Sequence, residues 1–212
     1  MPEPLGGPRP CRRPARRRWS STVGRLPEAL RHVLGPGSLQ AEAARTGGTH
    51  QGTTQVNTGT HPYSLELEWQ GDLGQGTSTY EGYSRAHLIR IAGKPDLIGT
   101  ADPMFRGDAA LHNPEDLLLA ALSGCHLLTY LALCARARIN VTAYRDRAEG
   151  TLLLTKDGGG HFTEVVLRPD VQVADAGMLE KARHFHGEVH KYCFIARSVN
   201  FPVRCEAVVR TP

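Results

Sequence analysis

No uninterrupted apolar run in the 212 residues reaches the roughly 18 that a membrane-spanning helix needs, so an integral membrane protein is not expected. No Cys-x-x-Cys pair is present, which removes thioredoxin-type motifs and paired zinc knuckles. No apolar stretch follows the basic N-terminus, so no secretory signal is read. An intracellular compartment is then expected, where structural disulfides are disfavoured. Lysine is missing from residues 1–60, which carry nine arginines against Glu3, Glu28 and Glu42, a net of +6. The remainder carries 16 basic and 18 acidic residues, a net of −2. The excess of positive charge therefore belongs to the N-terminal part, and a nucleic-acid-binding body is not expected.

Residues 1–61 read as an Arg/Gly/Pro-rich tail, disordered or weakly structured, with one weak helical patch at Pro27–Leu34. A basic, acid-poor start is compatible with an extension that does nothing, with organelle import, or with nonspecific polyanion binding. Residues 62–212 read as one folded domain, because apolar periodicity begins there. In "YSLELEWQ", Leu65, Leu67 and Trp69 alternate with polar residues, the pattern of a half-buried strand. Thr77–Gly93 also reads as extended, and a proline- and glycine-broken loop follows, with a short strand at Leu97–Gly99.

The clearest helix opens at Asn113, a good N-cap, with Pro114 at the first position and Glu115 and Asp116 in the first turn. Its apolar run, Leu117–Leu133, places Leu117, Ala121, Cys125, Leu128 and Ala132 on one stripe, and its other faces are also apolar. Burial nearly all round is expected, either in a core or between subunits. Two long strand patterns follow, joined by a hairpin turn at Asp157–Gly160. A helix over about Asp175–Lys191, a shorter one beginning near Cys193, and a final strand "PVRCEAVV" complete an α+β order.

Of five cysteines, Cys11 falls in the tail, and Cys134 and Cys205 read as small core hydrophobes. Cys125 follows Gly124, which leaves open surface beside the sulfur. Cys193 falls at an expected helix N-terminus, where backbone N–H groups favour a thiolate. Two such thiols suit peroxide chemistry, in which one becomes a sulfenic acid and the other condenses with it. They equally suit two buried free thiols. His184, His186 and His190 crowd one helix, but their order is not that of a zinc protease, and a polar surface or site rim is expected rather than a metal. His126 points about 100° from Cys125 around the helix and is not read as a catalytic base.

"HNPEDLLLAALSGCHLLTYL", followed 68 residues after its cysteine by "CFIARSVNFPV", resembles the OsmC/Ohr family of thiol-dependent peroxidases over about Tyr63–Val209. The resemblance implies an OsmC/Ohr-like α+β fold: antiparallel sheets around a long buried helix, in an intertwined homodimer with sites at the interface. By position it implies Cys125 as the peroxidatic cysteine, Cys193 as the resolving cysteine, and Glu115 as the acid that orients an active-site arginine. Arg85, on an expected strand, and Arg106, in the loop, are the two candidates for that arginine. Glu115 and Cys125 stand ten residues apart, about 15 Å along a straight helix, so an arginine or a second copy of the helix must link them. Without the resemblance, Glu115 is simply a first-turn acid.

The expected function is reduction of organic hydroperoxides in oxidative-stress defence, in the cytoplasm or, if the basic start directs import, in an organelle. No metal or other cofactor is expected, and neither nucleic acid nor membrane as partner. The reductant implied is an external dithiol, of lipoyl or similar type. The alternative is a non-catalytic OsmC-like binding or stress-associated protein.

Overall fold

A computed structural model describes residues 59–212, so the readings made on the N-terminal tail lie outside the described residues. Among the described residues, nine strands form three sheets of three strands each. The first contains β1 (Glu66–Trp69), β2 (His87–Arg90) and β3 (Leu97–Gly99) in an antiparallel meander. The second orders β4 (Val141–Arg145), β7 (Asp170–Val173) and β9 (Val208–Arg210); the third orders β5 (Glu149–Leu154), β6 (Gly160–Leu167) and β8 (Val203–Cys205). In both, the last strand adds in parallel, while β4–β7 and β5–β6 are antiparallel.

The long strand patterns of the sequence are each divided between two sheets. The chain leaves one sheet and enters the other at Asp146, whose carboxylate accepts from Arg168 N–H at 2.7 Å and from the Ser123 hydroxyl at 2.6 Å. Pro169 separates β6 from β7, since a proline offers no N–H to a ladder. The closing strand is likewise two strands, β8 and β9, with Glu206 and Ala207 between them. The hairpin turn forms as expected, with Thr155 N–H bonded to Gly159 O and Gly158 at φ 86°.

Helix α1 spans Pro114–Arg136. Its start follows the local chemistry: Asn113 Oδ1 accepts from Asp116 N–H at 2.8 Å, and the Asp116 carboxylate accepts from Asn113 N–H in return. Within one chain the helix is buried on one face. Four of its residues are buried, Leu122, His126, Tyr130 and Cys134, one every fourth residue. Leu122, Tyr130 and Cys134 share one core with Val165, Leu167, Val171, Val173, Ala182, Val189 and Val209. The stripe that carries Cys125 lies away from these, and there Leu128 is 68% exposed. By length and composition α1 is enough to cross a membrane, which corrects the expectation from the apolar run alone; here its inward stripe seals the core between sheets and second helix. That second helix, α2 (Leu179–Val189), is preceded by a single 3-10 turn that Asp175 caps through Gly177 N–H.

Strand β1 is exposed on both faces, with Leu67 at 57%, where half-burial was expected. Of the extended stretch expected over Thr77–Gly93, only β2 forms ladder; bends and turns occupy residues 74–83. Trp69 Nε1–H closes that excursion on Ser84 O at 2.8 Å.

Candidate functional site

Cys125 sits midway along α1, half-buried. Beside it, a Cβ added to Gly124 would meet nothing within 4 Å, so the helix surface next to the sulfur is open. Cys193 is buried, 1% exposed. It does not begin a helix, as the sequence suggested. Its N–H donates to Val189 O at 2.9 Å and closes the end of α2, and the next regular structure is a 3-10 turn at Ala196–Ser198. The tertiary fold brings these residues together across 68 positions: Cys193 Sγ donates to Cys125 Sγ at 2.7 Å. That is inside ordinary contact for two sulfurs and close to the span a disulfide closes at about 2.05 Å.

The expected thiolate at Cys193 is not favoured. Burial pushes its thiol up to about 11, and the hydrogen bond to Cys125 pushes the same way. Ala196 N–H, 3.4 Å from the sulfur, opposes this but is outweighed. Desolvation wins because a single N–H cannot replace the hydration of a buried anion. Cys193 therefore keeps its proton at neutral pH and is the donor of the pair.

Glu115 stands at the start of α1, ten residues from Cys125, and makes no hydrogen bond or ion pair among the described residues. Arg85 shares the walls of one cavity with it, about 340 Å³, together with Trp69, Tyr83, His87 and Phe105. Arg85 lies just before β2 rather than on a strand. Its guanidinium donates to Tyr83 O at 2.6 Å and to Tyr80 O at 2.7 Å, and sits 4.1 Å and 4.4 Å from the centres of the two tyrosine rings. Cys125 is not on that cavity's wall, and no described arginine bonds to it. Arg106 is exposed, and its left-handed backbone (φ 68°) ends the 3-10 turn Pro103–Phe105. Thus one chain joins the cysteines to each other and gathers Arg85 with Glu115, but leaves the two halves apart.

On an adjoining face of α1, about 100° around from Cys125, lies a cluster missed from the sequence. His126 and His186 are both 6% exposed, with Nε2 of the first and Nδ1 of the second 3.0 Å apart. Cys205 Sγ lies 3.6 Å and 3.8 Å from those two nitrogens. Cys205 is half-buried, and burial raises its thiol to about 12. Burial lowers His126 to about 4; burial, then the neighbouring His126, lowers His186 to about 3, so both rings are neutral near pH 7. His184 and His190 stay exposed, so the histidine-rich helix divides its members between solvent and core. One signal was available: residues 122, 126, 130 and 134 share a face of α1, which carries His126 wherever Tyr130 goes.

The family model for OsmC-like protein matches residues 107–207, which include Glu115, Cys125 and Cys193 and leave Arg85 and Arg106 outside. No curated protein matches the chain. An OsmC-like protein of unknown function from Vibrio cholerae is 31% identical over 70% of this chain and 100% of its own, with a TM-score of 0.64. An organic hydroperoxide resistance protein OsmC from Legionella pneumophila is 15% identical, covers 72% of this chain and 100% of its own, and has a TM-score of 0.52. One from Elizabethkingia anophelis is 16% identical, with 72% and 99% covered and a TM-score of 0.51. The last two show the fold alone. The resemblance read from the Asn-Pro-Glu helix start and the two cysteines therefore holds, and the chain belongs to the OsmC-like family.

Proposed function

We propose that this protein is a two-cysteine peroxidase that reduces organic hydroperoxides. The 2.7 Å approach of Cys193 to Cys125 is the observation that carries the reading. Cys125, the accessible member, attacks the peroxide as thiolate. An S–O bond forms, the O–O bond breaks, and the alkoxide leaves to take a proton from solvent as the alcohol. Cys193, held as a thiol, then attacks the sulfenic acid; a disulfide forms and water departs. An external dithiol restores both thiols and is itself oxidised to a disulfide.

The developing alkoxide needs a cation, and Arg85 with Glu115 is assigned that task from a second copy of the chain. The exposed apolar residues Leu128 of α1, Leu67 and Trp69 of β1, and Leu65 just before it support such an assembly. The homodimer is expected to be obligate, and a monomer in sedimentation at micromolar concentration would remove this part. For the chemistry, hydroperoxide consumption with a dithiol is the test. Wild type turns over, Cys125→Ser does not, and Cys193→Ser stops after about one equivalent, as the two-step chemistry requires. Unchanged consumption by Cys125→Ser would leave the non-catalytic reading in its place.

A further inference from the structure

We propose that His126, His186 and Cys205 form a zinc site whose ligands do not include Cys125 or Cys193, although Cys193 lines the same cavity. Each comes from a different element: His126 from α1, His186 from α2 and Cys205 from the end of β8. Their ligand atoms lie within 4.8 Å of one another, at 3.0, 3.6 and 3.8 Å. A tetrahedral zinc with Zn–N of about 2.0–2.1 Å and Zn–S of about 2.3 Å sets its ligands about 3.3 Å (N···N) and about 3.5 Å (N···S) apart. The triangle is thus nearly the size that the ion requires. Two imidazoles and one thiolate suit zinc in softness and leave one corner of the tetrahedron. All three residues line one cavity of about 370 Å³, which has room for a water as fourth ligand.

The rings are held in advance. His186 stacks face to face on Tyr130 at 3.9 Å between centres, and His126 lies within 10° of the His186 plane. Without the ion, the two nitrogens face each other across 3.0 Å as a hydrogen-bonded pair. Binding replaces that bond: each ring swings within its plane so that the lone pairs converge, and the Cys205 thiol gives up its proton to solvent. The ion then cross-links both helices to the third sheet, and its free energy of binding adds to that of folding.

The full chain carrying Cys125→Ser and Cys193→Ser is freed of metal with a chelator and titrated with cobalt(II), a spectroscopic substitute for zinc. One equivalent is expected to bind, with an intense thiolate-to-cobalt charge-transfer band and tetrahedral visible bands. Zinc(II) alone is expected to displace it and to raise the thermal midpoint. Adding Cys205→Ala is expected to remove the charge-transfer band and most of the midpoint rise. His186→Gln does the same while circular dichroism at room temperature stays that of the parent. No cobalt band in the double variant, or a band that survives Cys205→Ala, overturns the site and leaves a hydrogen-bonded histidine pair beside a thiol.

Discussion

Cys125 and His126 are neighbours in sequence and meet different partners on two faces of α1. About 100° of helix rotation turns Cys125 to the open face beside Gly124 and His126 into the core against His186. On the open side a sulfur meets a sulfur, and the chemistry available is exchange of electrons through a disulfide. On the closed side a sulfur meets two ring nitrogens, and the chemistry available is coordination. A cysteine's role is thus set less by its own exposure than by the atoms that the fold aims at it. Cys134 illustrates the remaining case: 1% exposed among apolar neighbours, it serves as a small hydrophobe, as its spacing suggested.

The strongest way to break this contrast is Cys125→Ser. Peroxide turnover should fall by at least ~10³-fold, the scale on which loss of a nucleophile is felt. Next comes Arg85→Ala, expected to lower kcat/KM by about 10²-fold through loss of one charge stabiliser in the transition state. A shared deficit that is restored by mixing Arg85→Ala and Cys125→Ser subunits would place the two groups on different chains.

Leu122→Ala tests the closed side. Leu122 is 1% exposed in the stripe that carries His126, and its truncation should cost about 2–5 kcal/mol of stability in denaturant titration. A cost below 1 kcal/mol would mean that this face of α1 is not the sealed one.

A pH profile sharpens the assignment within the pair. Cys193 is raised from 9.0 to about 11, so its thiolate fraction stays small through pH 9 and rises only as pH approaches 11. Its alkylation in the reduced protein should follow that curve when read by mass spectrometry. Alkylation at the rate of a free thiol at pH 8 would contradict its role as proton holder. The smallest effect is expected at the surface of the first sheet. Arg90→Ala removes a 2.6 Å ion pair with Glu68, both side chains substantially exposed and screened by solvent, and should leave the denaturation midpoint close to that of the wild type.

Much of the architecture was legible because its signals are local. Asn113, Pro114 and Asp116 specify a helix start within four residues, and Asp157–Gly160 specify a turn. The two cysteines were legible as a pair only through the family resemblance, since a spacing of 68 residues carries no geometric meaning by itself. The sequence did not single out the inward face of α1, for a physical reason. A helix apolar on most sides has a weak amphipathic preference, so the choice between the Cys125 stripe and the His126 stripe passes to whatever packs against it.

By itself, then, the sequence determined the α+β class, the start of the long helix, the hairpin and the near-neutral body, because these depend on contacts a few residues long or on composition. Only the tertiary structure decided which sulfur meets which partner. It did so by splitting two strand patterns between two sheets at Asp146 and Pro169, which carried Cys205 back beside α1 and α2. Such meetings depend on topology, and no rule of helix or strand periodicity reaches across the 68 to 79 residues that separate the partners.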